Sequence, residues 1–385
     1  MLLGLYVQVP FCQTKCTYCN FHTGVFSNDL YAPYVEAVCR EIAEYPCLLR
    51  EFHIAEVPEP VVDTAYFGGG TPSLLDPAGL ARVLDAMRAG FECKFEEVTL
   101  EADPETIIPE KAAAWRKAGF NRISMGVQSF QDNELKAAGR MHRRDDVYRA
   151  TQVLRDAGFQ NVSVDLIAGL PHQTHGSWDE SVAQLLSLRP EHVSIYLMEI
   201  DEGSRLGLEV LTGGTRYSAS ALPEDDSMAA FYDRACARLA SAGYVHYEIS
   251  NWALPGLESR HNLKYWQRQS YCGFGAGAHS FNGRQRWANA HDPSAYVTTI
   301  SQGRFPIEQL AHVSRDEALE EELFLGLRQL GGIDLSRIES EYGTNLQPRV
   351  EELRALGLVE WNGTRLRLSP DRLTVSNEVF VNLLN

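Results

Sequence analysis

The chain has 385 residues, of which 44% are hydrophobic and 22% charged, with a formal net charge of −16. That length can bury a sizeable core, and the acidic balance argues against a nucleic-acid partner, which clustered Lys and Arg would hold. No apolar run approaches the ~20 residues of a membrane span.

The opening Met1-Leu2-Leu3-Gly4-Leu5 lacks the basic flank and small-residue cleavage site of a signal peptide. It reads as a first strand, and the expected compartment is the cytoplasm. Short β-branched runs then predict strands at 3–9, 61–67, 98–100, 122–127, 162–167 and 193–197. Helical patterns fall between and after them, at about 29–45, 77–89, 109–118, 145–157, 177–187 and 225–242. Gly119, Gly158 and Gly243 are placed as helix stops. Strands alternating with helices imply parallel βαβ units. The expected fold is α/β, a partial (β/α) TIM-like barrel, with a doubly wound sheet as the alternative.

Chemistry in a barrel sits on the loops after the strands. Polar and unusual residues cluster there. Strand one runs into Cys12, Cys16 and Cys19, and strand two into Gly68-Gly69-Gly70-Thr71-Pro72. Strand three carries Glu101 and Asp103, strand four ends at Gln128, strand five holds Asp165, and strand six ends near Tyr196 and Glu199. The stretch 200–305 is less regular, with His261-Asn262-Leu263-Lys264-Tyr265-Trp266 and a glycine-rich run to His279. From 306 to 385 the character changes to helices and then a hairpin about Asn362-Gly363, a tight-turn signal. This predicts two domains, 1–305 and a small helical, winged-helix-like unit at 306–385. Residues 310–385 hold eight Arg, no Lys and thirteen Asp or Glu, so the second unit reads as a packing or partner domain and not a DNA-binding wing.

The spacing Cys12-x3-Cys16-x2-Cys19 suits three thiolates on one iron–sulfur cubane, with one iron left open. The amino and carboxylate groups of S-adenosylmethionine could chelate that iron, and an electron into the sulfonium would yield a 5′-deoxyadenosyl radical. A structural zinc site is the bland alternative, with His22 as its fourth donor, although zinc more often takes Cys-x2-Cys pairs. The other five cysteines read as small buried hydrophobes.

Tyr6-Val-Gln-Val-Pro10-Phe11-Cys12 with its cysteine loop resembles the start of the radical SAM family of oxygen-independent coproporphyrinogen III oxidase-like proteins. Gly68–Ser73, Glu101–Pro104, Ser124–Phe130, Gly139–His142 and Asp165–Pro171 resemble it in the same order, over essentially the whole chain. The resemblance implies a [4Fe–4S] cluster on Cys12, Cys16 and Cys19. It implies S-adenosylmethionine contacts from Gly69, Gly70 and Thr71 at the methionine end, Gln128 and Asp165 at the ribose hydroxyls and Arg140 at the carboxylate, with Glu101 also touching the ligand. Tyr6 and Tyr18 are either site residues or core aromatics. One departure is Gln8, where the family usually has His.

Two features divide that family. The oxidases carry a fourth cysteine where this chain has Phe21, and a long extension before the first strand. Both point to the heme-chaperone branch, HemW, to which the His261–Trp266 segment also is similar; there His261 is implied at the heme, while His279 reads as structural. The branch implies heme as cargo, a heme-acceptor protein and an electron donor as partners, with a second copy of the chain also considered. The competing readings are a coproporphyrinogen dehydrogenase and a radical SAM enzyme acting on another substrate.

Overall fold

The computed structural model describes residues 2–58 and 60–384, so Met1 of the opening strand lies outside the described residues. Six strands run parallel and adjacent in chain order: β1 (Leu2–Val9), β2 (Val61–Gly69), β3 (Glu92–Ala102), β4 (Arg122–Gln128), β5 (Val162–Ala168) and β6 (His192–Leu197). The helices between them are α1 (Tyr31–Glu51), α2 (Pro77–Gly90), α3 (Pro109–Ala118), α4 (Asp132–Ala138), α5 (Arg144–Asp156) and α6 (His175–Leu188). The helix predicted to end at 45 continues through Pro46 to Glu51. An internal proline costs about 3 kcal/mol, and burying Leu48 and Leu49 offsets it at roughly 1.5–3 kcal/mol each. The predicted glycine stops are observed: Gly119 ends α3 in the left-handed region, at φ 115°, and Gly158 and Gly243 follow helix ends at φ 86° and 88°.

After β6 come α7 (Arg205–Leu211) and α8 (Asp225–Ser241), then β7 (Val245–Glu248), β8 (Asn251–Ala253) and α9 (Arg260–Trp266). Next are β9 (Tyr271–Phe274), β10 (His279–Phe281), β11 (Gln285–Asn289), α10 (Pro293–Ser301) and β12 (Ile307–His312). β9 adds parallel to β1 and carries β10, β11 and β12 as antiparallel strands, while β8 and β7 extend the β6 side. Among the described residues this makes one sheet with edges at β12 and β7, so the barrel is partial and open.

Alternation along the strands divides the sheet's two faces. Leu3, Leu5, Val7 and Val9 of β1 are buried in the helix-covered core with Val38 and Ile42 of α1. The other face carries polar side chains that satisfy one another: Tyr66 with Glu101, Ser124 with Asp165, and Ser163 with His192.

The C-terminal region holds α11 (Arg315–Leu327), β13 (Ile333–Asp334), α12 (Leu335–Tyr342), α13 (Gln347–Ala355), β14 (Val359–Trp361), β15 (Arg365–Leu368) and α14 (Ser376–Leu384). Its small sheet is ordered β13-β15-β14, and the hairpin turns at Gly363 (φ 94°), so helices are followed by a hairpin here. Residues 307–312, as β12, still pair with the large sheet. Glu321 of α11 bridges Arg268 and Arg286 at 2.6 and 2.9 Å, tying this domain to the sheet.

Candidate functional site

The loop between β1 and α1 carries the three clustered cysteines, and it is held on several sides. Cys12 N–H donates to Gly24 O, and Gly24 N–H returns to Pro10 O, both at 2.9 Å, closing the loop on itself. Thr17 N–H donates to Ala138 O at 3.0 Å, and Thr14 Oγ1 to Gly139 O at 3.1 Å, pinning it to the end of α4. Leu206 N–H, at the start of α7, donates to Thr17 O at 2.8 Å. A flexible run of residues thereby gains one conformation.

Cys12, Cys16 and Cys19 all face a cavity of about 430 Å³ at the C-terminal ends of the strands. Gly69, Gly70, Thr71, Glu101, Gln128, Arg140, Asp165 and Tyr18 line the same cavity, so nearly every residue expected at the cofactor converges there. Tyr6 is the exception. It lines a neighbouring cavity, and its hydroxyl donates to Gln8 Oε1 at 2.6 Å.

The glycines are required by close approach. A Cβ on Gly70 would sit 2.6 Å from Phe11 O and 3.0 Å from Cys12 Sγ. Gly69 has φ 109°, and a Cβ there would collide with Gln8 at 2.5 Å. Glu101 accepts from Tyr66 OH at 2.7 Å and Gly69 N–H at 3.0 Å. Burial pushes its carboxyl up to about 7, against the pull of these donors. Burial likewise raises the Asp165 carboxyl, opposed by Ser194, Arg122, Ser163 and Ser124.

Gln128 has φ 65°, uncommon for a residue with a side chain, and its buried Oε1 accepts no hydrogen bond. An orphaned acceptor facing a cavity is what a ligand hydroxyl would satisfy. Arg140 donates to Asp103 and, at 2.7 Å, to Gly126 O, while its Nη1 lies 3.5 Å from Cys16 Sγ. Asp103 also accepts from Thr71 Oγ1 at 3.1 Å. The guanidinium expected at the methionine carboxylate is therefore already paired within the protein, and Asp103, noted in the sequence only as a polar strand-end residue, is its partner.

The donor set fits an iron–sulfur cluster. Burial raises the Cys12 thiol to about 11, so loading must expel its proton. Among the described residues no three His, Cys, Asp or Glu side chains converge to hold one metal ion. A single zinc needs that convergence, whereas a cubane takes its thiolates at separate corners.

His261 lies elsewhere. Its side chain is buried on the polar face of the sheet, with Nδ1 at 2.9 Å from Thr64 Oγ1 and Nε2 at 2.9 Å from Tyr265 OH. Burial lowers its pKa to about 3, so it is neutral, with both ring nitrogens engaged. Lys264 on the same helix pairs with buried Asp63 at 2.7 Å, and Arg328 of the C-terminal domain covers the Trp266 ring at 4.4 Å. The segment ties β2 to the C-terminal domain. His279, by contrast, is exposed; of the five cysteines expected to be buried only Cys272 is, with Cys39, Cys93 and Cys236 half-buried and Cys47 exposed. Phe21 is 65% exposed and borders both cavities.

Comparison with known proteins agrees with this geometry. The Radical SAM superfamily model matches residues 6–185, and the HemN C-terminal domain model matches residues 313–371. The heme chaperone HemW of Bacillus subtilis is 33% identical over 381 residues, covering 97% of each chain. That of Mycobacterium tuberculosis is 35% identical over 372 residues, covering 95% of this chain and 90% of its own. The solved coproporphyrinogen III oxidase HemN from Escherichia coli aligns with a TM-score of 0.80 at 22% identity, covering 99% of this chain and 89% of its own, which shows a shared fold. Membership of the superfamily implies a [4Fe–4S] cluster and S-adenosylmethionine, and near-complete coverage by these relatives places the chain in the radical SAM superfamily, in the family of the HemW proteins.

Proposed function

We propose that this chain is a heme chaperone: it binds heme and passes it to an acceptor protein, with a cluster and S-adenosylmethionine held in the cavity that the three cysteines face. The observation that carries the reading is the near-complete coverage by relatives named heme chaperone HemW. Phe21, in the position of the oxidases' fourth cysteine, weighs in the same direction. None of the helices among the described residues is long and apolar enough to cross a membrane.

In this reading Cys12, Cys16 and Cys19 hold three irons. Gly69, Gly70 and Thr71 take the methionine end, and neither glycine has room for a side chain, which would collide with Gln8 or with Phe11 O. Gln128 and Asp165 take the ribose hydroxyls, with Glu101 beside them. Arg140, held by Asp103, sets the positive charge next to Cys16 and the cofactor carboxylate. Tyr18 closes the apolar side over Ile167 and Met198. When bound, the cluster supplies single electrons from an external donor, the chemistry for which adenosylmethionine is used.

The test is anaerobic reconstitution with iron and sulfide, followed by hemin titration and a coproporphyrinogen decarboxylase assay on one sample. Stoichiometric hemin binding without decarboxylation is the expected result. Protoporphyrinogen formation would replace this reading with the oxidase one.

A further inference from the structure

Beside the cofactor cavity is a second one of about 420 Å³, sharing Gly69, Glu101 and Phe21 with it. Its remaining wall comes from the start of the chain (Tyr6, Gln8, His22), from α9 (Tyr265) and from the β9–β10 region (Tyr271, Gly277, His279). Its size falls within the ~300–1,000 Å³ of small-molecule sites. Aromatic rings on several sides suit a flat apolar ligand.

We propose that this second cavity is the heme seat, and that an imidazole of the His22–His279 pair, not His261, takes the iron. The inference rests on the heme-chaperone reading. His22 and His279 are exposed, and neither side chain makes a hydrogen bond to a described residue. The His22 ring lies 4.1 Å from that of His291, whose buried Nδ1 has no hydrogen-bond partner. Partial desolvation, with the neighbouring imidazoles and nearby cations, lowers the pKa of both His22 and His279, which favours the neutral, metal-ligating form of each ring.

The set of donors selects among metals. A bare ion would need three or more converging ligands, which the described residues do not supply. A heme brings four nitrogens of its own and asks the protein only for an axial ligand. His261 cannot give one without releasing Thr64 or Tyr265. The cavity also has a link to the C-terminal domain. Tyr271 OH accepts from Arg286 at 3.1 Å, and Arg286 is paired with Glu321 of α11.

The experiment is a hemin titration of the whole chain. His22→Ala/His279→Ala removes two exposed rings, so its thermal midpoint stays near the wild-type value. Binding should weaken at least tenfold, and the nitrogen-ligated Soret position should vanish and return with added imidazole. His261→Gln, which keeps a donor and an acceptor between Thr64 and Tyr265, should bind with the wild-type spectrum. Wild-type affinity and spectrum in the double variant overturn the proposal, as does loss of the Soret band in His261→Gln at an unchanged thermal midpoint. If wild-type chain binds no hemin, the parent reading itself falls, and the heme seat with it.

Discussion

Gly70→Ala is the sharpest single perturbation of the cysteine loop. The new Cβ would stand 2.6 Å from Phe11 O, 3.0 Å from Val9 O and 3.0 Å from Cys12 Sγ. Two of these contacts are backbone, so no rotamer change relieves them. The ends of β1 and β2 must part by several tenths of an ångström, which stretches Gly70 N–H to Val9 O (2.8 Å) and Thr71 N–H to Phe11 O (2.7 Å). Each bond contributes about 0.5–1.5 kcal/mol, and overpacking costs typically 1–3 kcal/mol. We therefore expect a loss of about 2–3 kcal/mol in urea unfolding of the iron-free chain. Because Cys12 moves with Phe11, reconstituted protein should also carry less iron and a weaker sulfur-to-iron charge-transfer band. Gly158→Ala is the control. It has φ 86° with nothing near the added carbon, so it should cost only the ~1–2 kcal/mol of a left-handed alanine and keep full iron. Wild-type stability and iron content in Gly70→Ala would refute the reasoning.

Glu41 is buried with Gly275 N–H, Asn289 Nδ2 and Tyr296 OH as donors, yet burial raises its carboxyl from 4.5 to about 7. A folded-state value above the unfolded one means stability is highest below pH ~4.5 and falls as pH rises through ~7, by at most about 3 kcal/mol from this group. Urea midpoints across that range should show the slope, and Glu41→Gln should flatten it while leaving one donor without its acceptor. Lys264→Met removes the partner of Asp63, both nearly fully buried, and should cost about 3–5 kcal/mol in thermal or urea unfolding. Adding Asp63→Asn should recover much of that loss, and a Lys264→Met chain as stable as wild type would remove the pair from any structural role. Cys16→Ala should abolish the charge-transfer band of reconstituted protein while leaving apo-protein stability within about 1 kcal/mol, since the side chain is only half-buried.

Much of the fold and one of the two cavities could be read from the chain directly. The strand and helix periods are local, so β1 to β6 and the longer helices between them appeared in order, while the short α4 (Asp132–Ala138) was missed. Most residues expected at the cofactor were legible because they sit at or just after strand ends, and parallel strands of one sheet deliver their ends to one place, whereas Arg140 follows α4. The glycines carried a signal of their own, since close backbone approach excludes other residues. Tertiary packing decided what local spacing does not encode. It buried His261 between Thr64 and Tyr265, which no motif announces. It gave Arg140 a partner in Asp103, and it brought His22 beside His291 and near His279 across most of the chain's length. The meeting of these histidines depends on how β9–β11 fold back against β1 and the cysteine loop, and side chains that meet only through such closure leave no period in the sequence.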